Sequence, residues 1–220
     1  GGQYNQLIAR RVREQNVYAE ILPYTVSLDR IREGQYKGII FTGGPNSAYE
    51  DSSPHYNKEI LTLGIPVLGI CYGAQLLAYM LDGQVKTAPV SEYGKTEITL
   101  SPNARLFNNV TLETTCWMSH TDYIAVPPEG FAVTAQTKDC PVAAMENPEK
   151  GYYAVQFHPE VMHTPQGSDM LRNFIYDVCG CSGDWVMSAF VEASIAKIRE
   201  KIGDKRVLCA MSGGVDSSVA

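Results

Sequence analysis

The chain has 220 residues, of which 45% are hydrophobic and 19% charged, with a formal net charge of −6. That length holds one good-sized domain and a fragment, or two small domains, and the composition excludes a disordered tract or a solenoid. The acidic balance leaves no basic patch of the size that phosphate-backbone binding needs, so no nucleic-acid partner is expected.

No apolar run approaches the roughly 18–20 residues of a membrane span, and the N-terminus has no signal-peptide core. The expected location is cytoplasmic, with no membrane contact. The six cysteines, at 71, 116, 140, 179, 181 and 209, are expected to be reduced thiols, because a chain of this size needs no disulfide framework. Cys179-Gly-Cys181 lacks the two-residue spacer of zinc or redox pairs, and no metal site is expected.

In chain order, apolar helical spacing predicts a helix over residues 6–15, and β-branched apolar runs predict strands over 17–22 and 38–41. A doubly wound sheet would open with a strand rather than a helix, so a first strand is expected to be missing. A helix over 54–63, a strand over 66–70 and a helix over 74–81 closed by Gly83 follow. Residues 93–118 carry no helical pattern and read as antiparallel strands added to the sheet. Strands over 131–137, 142–145 and 152–157 come next, then an amphipathic helix over 168–178. Alternation of this kind predicts an α/β fold: a doubly wound, mixed, mostly parallel sheet with helices on both faces. The glycines at 180 and 183 and a long helix over 184–202 read as a connection. Residues 206–211 read as a fresh strand, and the chain ends inside a presumed helix. The expected domains are therefore 1–180, a linker and connecting helix over 181–204, and the truncated start of a second α/β domain over 205–220.

Gly69-Ile70-Cys71-Tyr72-Gly73 joins a strand to a helix through G-x-C-x-G, a nucleophile elbow with cysteine in place of serine. At such a turn the thiol stands at a helix N-terminus, whose dipole favours the thiolate. The turn also aims the Tyr72 N–H at the position where a tetrahedral oxyanion forms. Most free cysteines are merely small buried hydrophobes, so the assignment depends on neighbours. Gly43-Gly44-Pro45 follows the strand over 38–41, at the same carboxyl edge of the sheet, and Gly44 is a candidate second oxyanion donor.

A cysteine nucleophile needs a general base. His158 ends the strand over 152–157 and is followed by Pro159-Glu160, so the backbone is stiffened and a carboxylate stands two residues away to hold the imidazole tautomer. His120, near Asp122, is the rival base without the rigid spacer, and is ranked as a substrate-side or structural residue.

Taken together, Gly43-Gly44-Pro45, Gly69-x-Cys71-Tyr72-Gly73-x-Gln75, Trp117-Met118-Ser119-His120 and Gln156-Phe157-His158-Pro159-Glu160 resemble the class I glutamine amidotransferases. The segments at 2–13 and 160–164 narrow the likeness to the amidotransferase domains of the GMP synthetase family. The resemblance covers residues 1 to about 180. It implies that Cys71 attacks the side-chain amide of glutamine, that His158 protonates the leaving ammonia, and that Glu160 orients His158. It also implies a glutamine pocket built with Gln75, Ser119 and His120, no cofactor being needed by this half.

Strand, then Ser212-Gly213-Gly214-Val215-Asp216-Ser217-Ser218, then helix forms an anion cradle. No lysine follows the glycines, so it is not a Walker loop. It resembles the pyrophosphate loop of ATP pyrophosphatases, which implies ATP and Mg2+ as cofactors of a full-length enzyme. By that likeness the enzyme adenylates xanthosine monophosphate (XMP), aminates it to GMP in purine biosynthesis, and works as a homodimer. This chain alone is expected to keep at most the glutaminase half-reaction. Two other readings remain open: a stand-alone glutamyl hydrolase, and a non-catalytic thiol redox module.

Overall fold

The structure, a computed structural model, describes Gly2 and residues 4–208. The chain divides into two compact units, Gly1–Asp184 and Trp185–Ala220.

The first unit is built on a seven-stranded sheet in the order β1-β2-β7-β6-β5-β3-β4. The strands are β1 (Ile39–Phe41), β2 (Val67–Ile70), β3 (Gln84–Leu100), β4 (Glu113–Val126), β5 (Ala132–Gln136), β6 (Ala144–Asn147) and β7 (Tyr152–Val155). Two neighbouring pairs, β1–β2 and β2–β7, are parallel. The other four pairs are antiparallel. The sheet is mixed as expected, but antiparallel pairing has the larger share. The reason lies in the connections: parallel neighbours need long crossovers, whereas β5, β6 and β7 follow one another through short connections that suit antiparallel pairing, and α3 (Tyr72–Met80) leads from β2 to β3.

Helices cover both faces. Along β2 and β7 every residue is buried, as parallel strands between two helical layers require, and alternate residues enter different cores. Leu68, Ile70, Tyr153 and Val155 join Ile8 and Val12 of α1 (Asn5–Glu14) and Met170 and Leu171 of α4 (Gly167–Asn173). Val67, Tyr152 and Ala154 join Ile31 of α2 (Leu28–Glu33) and Ala74, Leu77 and Ala78 of α3. The helix expected over 168–178 forms, its last turn as a π-helical segment, Phe174–Val178.

Two expectations are corrected. Residues 17–22 join no strand of the sheet: the Ala19 carbonyl takes both Nε–H and Nη2–H of Arg13, at 3.1 and 2.6 Å, instead of a ladder bond. The helix expected over 54–63 is a 3-10 segment, Lys58–Leu63. Asn57 caps it through its side chain, and Gly64 ends it at φ 70. The antiparallel strands expected over 93–118 do form, as one long hairpin, β3–β4, whose register shifts between Thr87 and Glu92.

In the second unit, α5 (Met187–Ile202) ends at Gly203 with φ 54. Lys205 to Leu208 pair with no strand among the described residues, so the strand expected over 206–211 is not seen over its first three residues, and its remainder lies outside the described residues. The pyrophosphate-loop residues Ser212 to Ser218 lie outside them as well. Among the described residues no helix is long and apolar enough to cross a membrane.

Candidate active site

Cys71 sits between β2 and α3 with φ 53 and ψ −112, a backbone conformation that a residue bearing a Cβ adopts only at a cost of about 1–3 kcal/mol. Its N–H donates to the Val155 carbonyl at 2.8 Å, so the turn is held by the last residue of β7. The flanking glycines explain the motif. A Cβ on Gly69 would come within 2.7 Å of the Ala74 Cα, and one on Gly73 would overlap the Phe41 carbonyl of β1. Strand and helix can close to this distance only without those side chains.

The base arrives from β7. His158 is 5% exposed, and its backbone N–H donates to the Trp117 carbonyl of β4 at 3.0 Å. Its Nδ1 lies 2.8 Å from Glu160 Oε1, with Glu160 1% exposed. A carboxylate only accepts, so the Nδ1 proton is donated to it and Nε2 remains for the sulfur. Cys71 and His158 both border Gly43: a Cβ placed there would lie 3.3 Å from His158 Cε1 and 3.6 Å from Cys71 Cβ. Burial by itself pushes the imidazole pKa down, but the hydrogen bonds and charges of Cys71 and Glu160 outweigh burial and raise it to about 10. Cys71, His158 and Glu160 are thus all buried, with the imidazole held by the carboxylate.

Several supports lacked any local sequence signal. Thr164 Oγ1–H donates to the His158 carbonyl at 2.6 Å and accepts the Trp117 N–H at 3.0 Å, tying base, β4 and the following loop together. Arg11 Nε–H donates to the Glu160 carbonyl at 2.9 Å. The Tyr4 ring meets the His158 ring edge-on at 5.7 Å. The second carboxylate oxygen of Glu160 is buried with no hydrogen-bond partner among the described residues, so its charge is answered chiefly by the imidazole.

The other expected site residues are placed as follows. Gly44 lies against the Tyr72 ring, 3.4 Å from it by a Cβ built at the glycine, and Tyr72 is the first residue of α3, where a helix leaves its N–H unpaired. The carbonyl of Ser119 stands 3.7 Å from Cys71 Sγ. Gln75 is buried, and its amide donates to the Asp122 carbonyl at 2.8 Å and to Gln156 Oε1 at 3.1 Å, so it braces α3 against β4 and the end of β7. His120 is buried with both ring nitrogens engaged, Nδ1 with the Asp122 carbonyl at 2.9 Å and Nε2 with Glu92 Oε2 at 3.0 Å. It therefore has no free nitrogen to serve Cys71.

Comparison with known proteins shows the family. Residues 1–178 match the family model for glutamine amidotransferase class-I. Over all 220 residues the chain is 61% identical to the GMP synthase [glutamine-hydrolyzing] of Clostridium botulinum (strain Alaska E43 / Type E3), and 61% identical to that of Acetivibrio thermocellus. It spans 43% of the length of each of these relatives. Among solved structures, a GMP synthase component from Thermoplasma acidophilum aligns with TM-score 0.70 and 30% identity over 91% of this chain and 94% of that one. A glutamine amidotransferase from Thermotoga maritima shares the fold at TM-score 0.64, with 19% identity over 80% of this chain and 92% of that one. The chain belongs to the class-I glutamine amidotransferases.

Proposed function

We propose that Cys71, His158 and Glu160 form a catalytic triad that hydrolyses glutamine to glutamate and ammonia. The observation that carries the reading is His158, buried, bound by Glu160 through Nδ1 and turned toward a cysteine held at positive φ. In the resting site the imidazolium faces the thiolate. The thiolate attacks the amide carbon, and the oxyanion is received by the N–H groups of Gly44 and Tyr72. His158 gives its proton to the departing nitrogen, ammonia leaves, and a glutamyl thioester remains. The neutral imidazole then takes a proton from water, hydroxide adds to the thioester, and collapse returns glutamate, thiolate and imidazolium. The Ser119 carbonyl borders the glutamine on the β4 side, with Gln75 and His120 as the supports behind it.

The longer protein to which such a chain belongs would use the ammonia in a second domain. The relatives' name, GMP synthase, and the loop Ser212 to Ser218 support an ATP- and Mg2+-dependent amination of XMP to GMP, carried out by a homodimer in the cytoplasm. The domain limits proposed are 1–180, 181–204 and 205–220, and the break between compact units after Asp184 supports the first of them.

Ammonia release from glutamine by the full-length protein, with and without ATP plus XMP, tests both levels. Release that is lost in Cys71→Ala and rises on adding the nucleotides is the expected result. Nucleotide-indifferent release overturns the coupling and leaves a stand-alone hydrolase. Release unaffected by Cys71→Ala overturns the triad.

A further inference from the structure

Behind the Ser119 backbone lies a second group of Cys, His and Glu that the triad does not use. Glu92 of β3, His120 of β4 and Cys140, just beyond β5, are all buried, and one ligand atom of each lies within 4.8 Å of the other two. Two strands and the turn after a third deliver them: Glu92 and His120 are opposed in the β3–β4 register, and β5, which leads to Cys140, pairs with β3.

The hydrogen bonding within this group already aims its ligand atoms at one another. Nδ1 of His120 faces the Asp122 carbonyl, which can only accept, so Nδ1 carries hydrogen. Nε2 then faces Glu92 Oε2 at 3.0 Å, and a cation set between them leaves the outer bonds in place. The Nδ1–H to carbonyl bond already fixes the tautomer that points Nε2 inward, the usual arrangement behind a metal-bound histidine. Thr137 Oγ1–H donates to Glu92 Oε1 at 2.7 Å and accepts the Cys140 N–H at 2.9 Å, so one hydroxyl positions both the carboxylate and the thiol.

We propose that Cys140 Sγ, His120 Nε2 and Glu92 Oε2 form a three-ligand binding site for a zinc-type divalent cation. One thiolate, one imidazole and one carboxylate suit a borderline-soft ion. The cation clamps β3, β4 and the turn after β5 beneath the strand that presents Ser119 to Cys71. Nothing in this assignment depends on the triad being catalytic.

The test uses the full chain with Cys71→Ala, Cys181→Ser and Cys209→Ser, which removes the catalytic thiol and the thiols outside the cluster that could pair around a metal. Titration with Co2+ is expected to give thiolate-to-cobalt absorption at one ion per chain, and Zn2+ is expected to displace it and raise Tm. In the same background Thr137→Val lowers the affinity about 10- to 100-fold, as loss of an outer partner does, and Cys140→Ser abolishes the sulfur band. Should Cys140→Ser not fold, X-ray absorption of the zinc-loaded background protein decides: a sulfur ligand supports the site. A shell of nitrogen and oxygen only, or no binding by the folded background protein, overturns it.

Discussion

Glu160→Gln isolates the charge that holds His158. The substitution keeps an oxygen 2.8 Å from Nδ1 in place of Oε1, but it removes the anion that steadies the imidazolium. It also puts an NH2 group into the buried position of Oε2, which has no partner among the described residues. A hydrogen bond to a charged group contributes about 1.5–3 kcal/mol, which at 1.36 kcal/mol per decade corresponds to a fall in kcat of roughly 10- to 150-fold. Glu160 does not touch glutamine in the proposed mechanism, so KM stays near its wild-type value. Ammonia release measured against glutamine concentration gives both constants. Titration of the His158 ring by NMR supplies the second readout. Wild-type His158 is raised from 6.5 to about 10, so its contribution to stability is complete below about 6.5 and is lost as pH climbs through about 10. In the variant both the titration and the accompanying fall in Tm move to lower pH. A Glu160→Gln protein with wild-type kcat and an unmoved His158 titration refutes the reasoning.

Cys71→Gly should melt above Cys71→Ala by the equivalent of about 1 kcal/mol, because glycine accepts φ 53 without strain; denaturant unfolding of the two inactive variants checks this. Gly73→Ala forces a methyl into the Phe41 carbonyl, so it should cost at least the upper end of the about 1–3 kcal/mol range for overpacking, read as a lower Tm together with lost activity. Thr164→Val leaves the His158 carbonyl and the Trp117 N–H without their shared partner. A loss of about 1–3 kcal/mol for each unpaired buried group should appear in chemical denaturation, with kcat reduced because the base is no longer tied down.

What could be read in the sequence was what the chain writes locally. G-x-C-x-G marks a turn because the glycines and the cysteine share one sharp bend, and His158-Pro159-Glu160 marks a base because both groups leave the same strand end. Elements with their own period, such as α1, α3, β2 and β7, were equally legible. What escaped was written by distant partners. Thr164 reaches Trp117 across 47 positions, and Gln75 reaches Gln156 across 81; neither has a neighbour in sequence that hints at it. Glu92 meets His120, 28 positions away, only because a long hairpin folds the chain back on itself. In Gln75 and His120, internal bonds occupy the groups that were read as ligand contacts. Residues 17–22 carried a strand's composition, yet composition cannot specify a partner, and the Ala19 carbonyl is taken by a nearby arginine instead.

The bond from the Cys71 N–H to the Val155 carbonyl joins the elbow to a strand that the chain reaches only after β3, β4, β5 and β6. Until β2 and β7 pair, a newly made chain carries a thiol with neither its imposed backbone angle nor its imidazole. Closing so large a loop is among the slower events of folding. In the proposed mechanism the sulfur gains its imidazole only with that pairing, so the speed of Cys71 labelling should follow completion of the sheet.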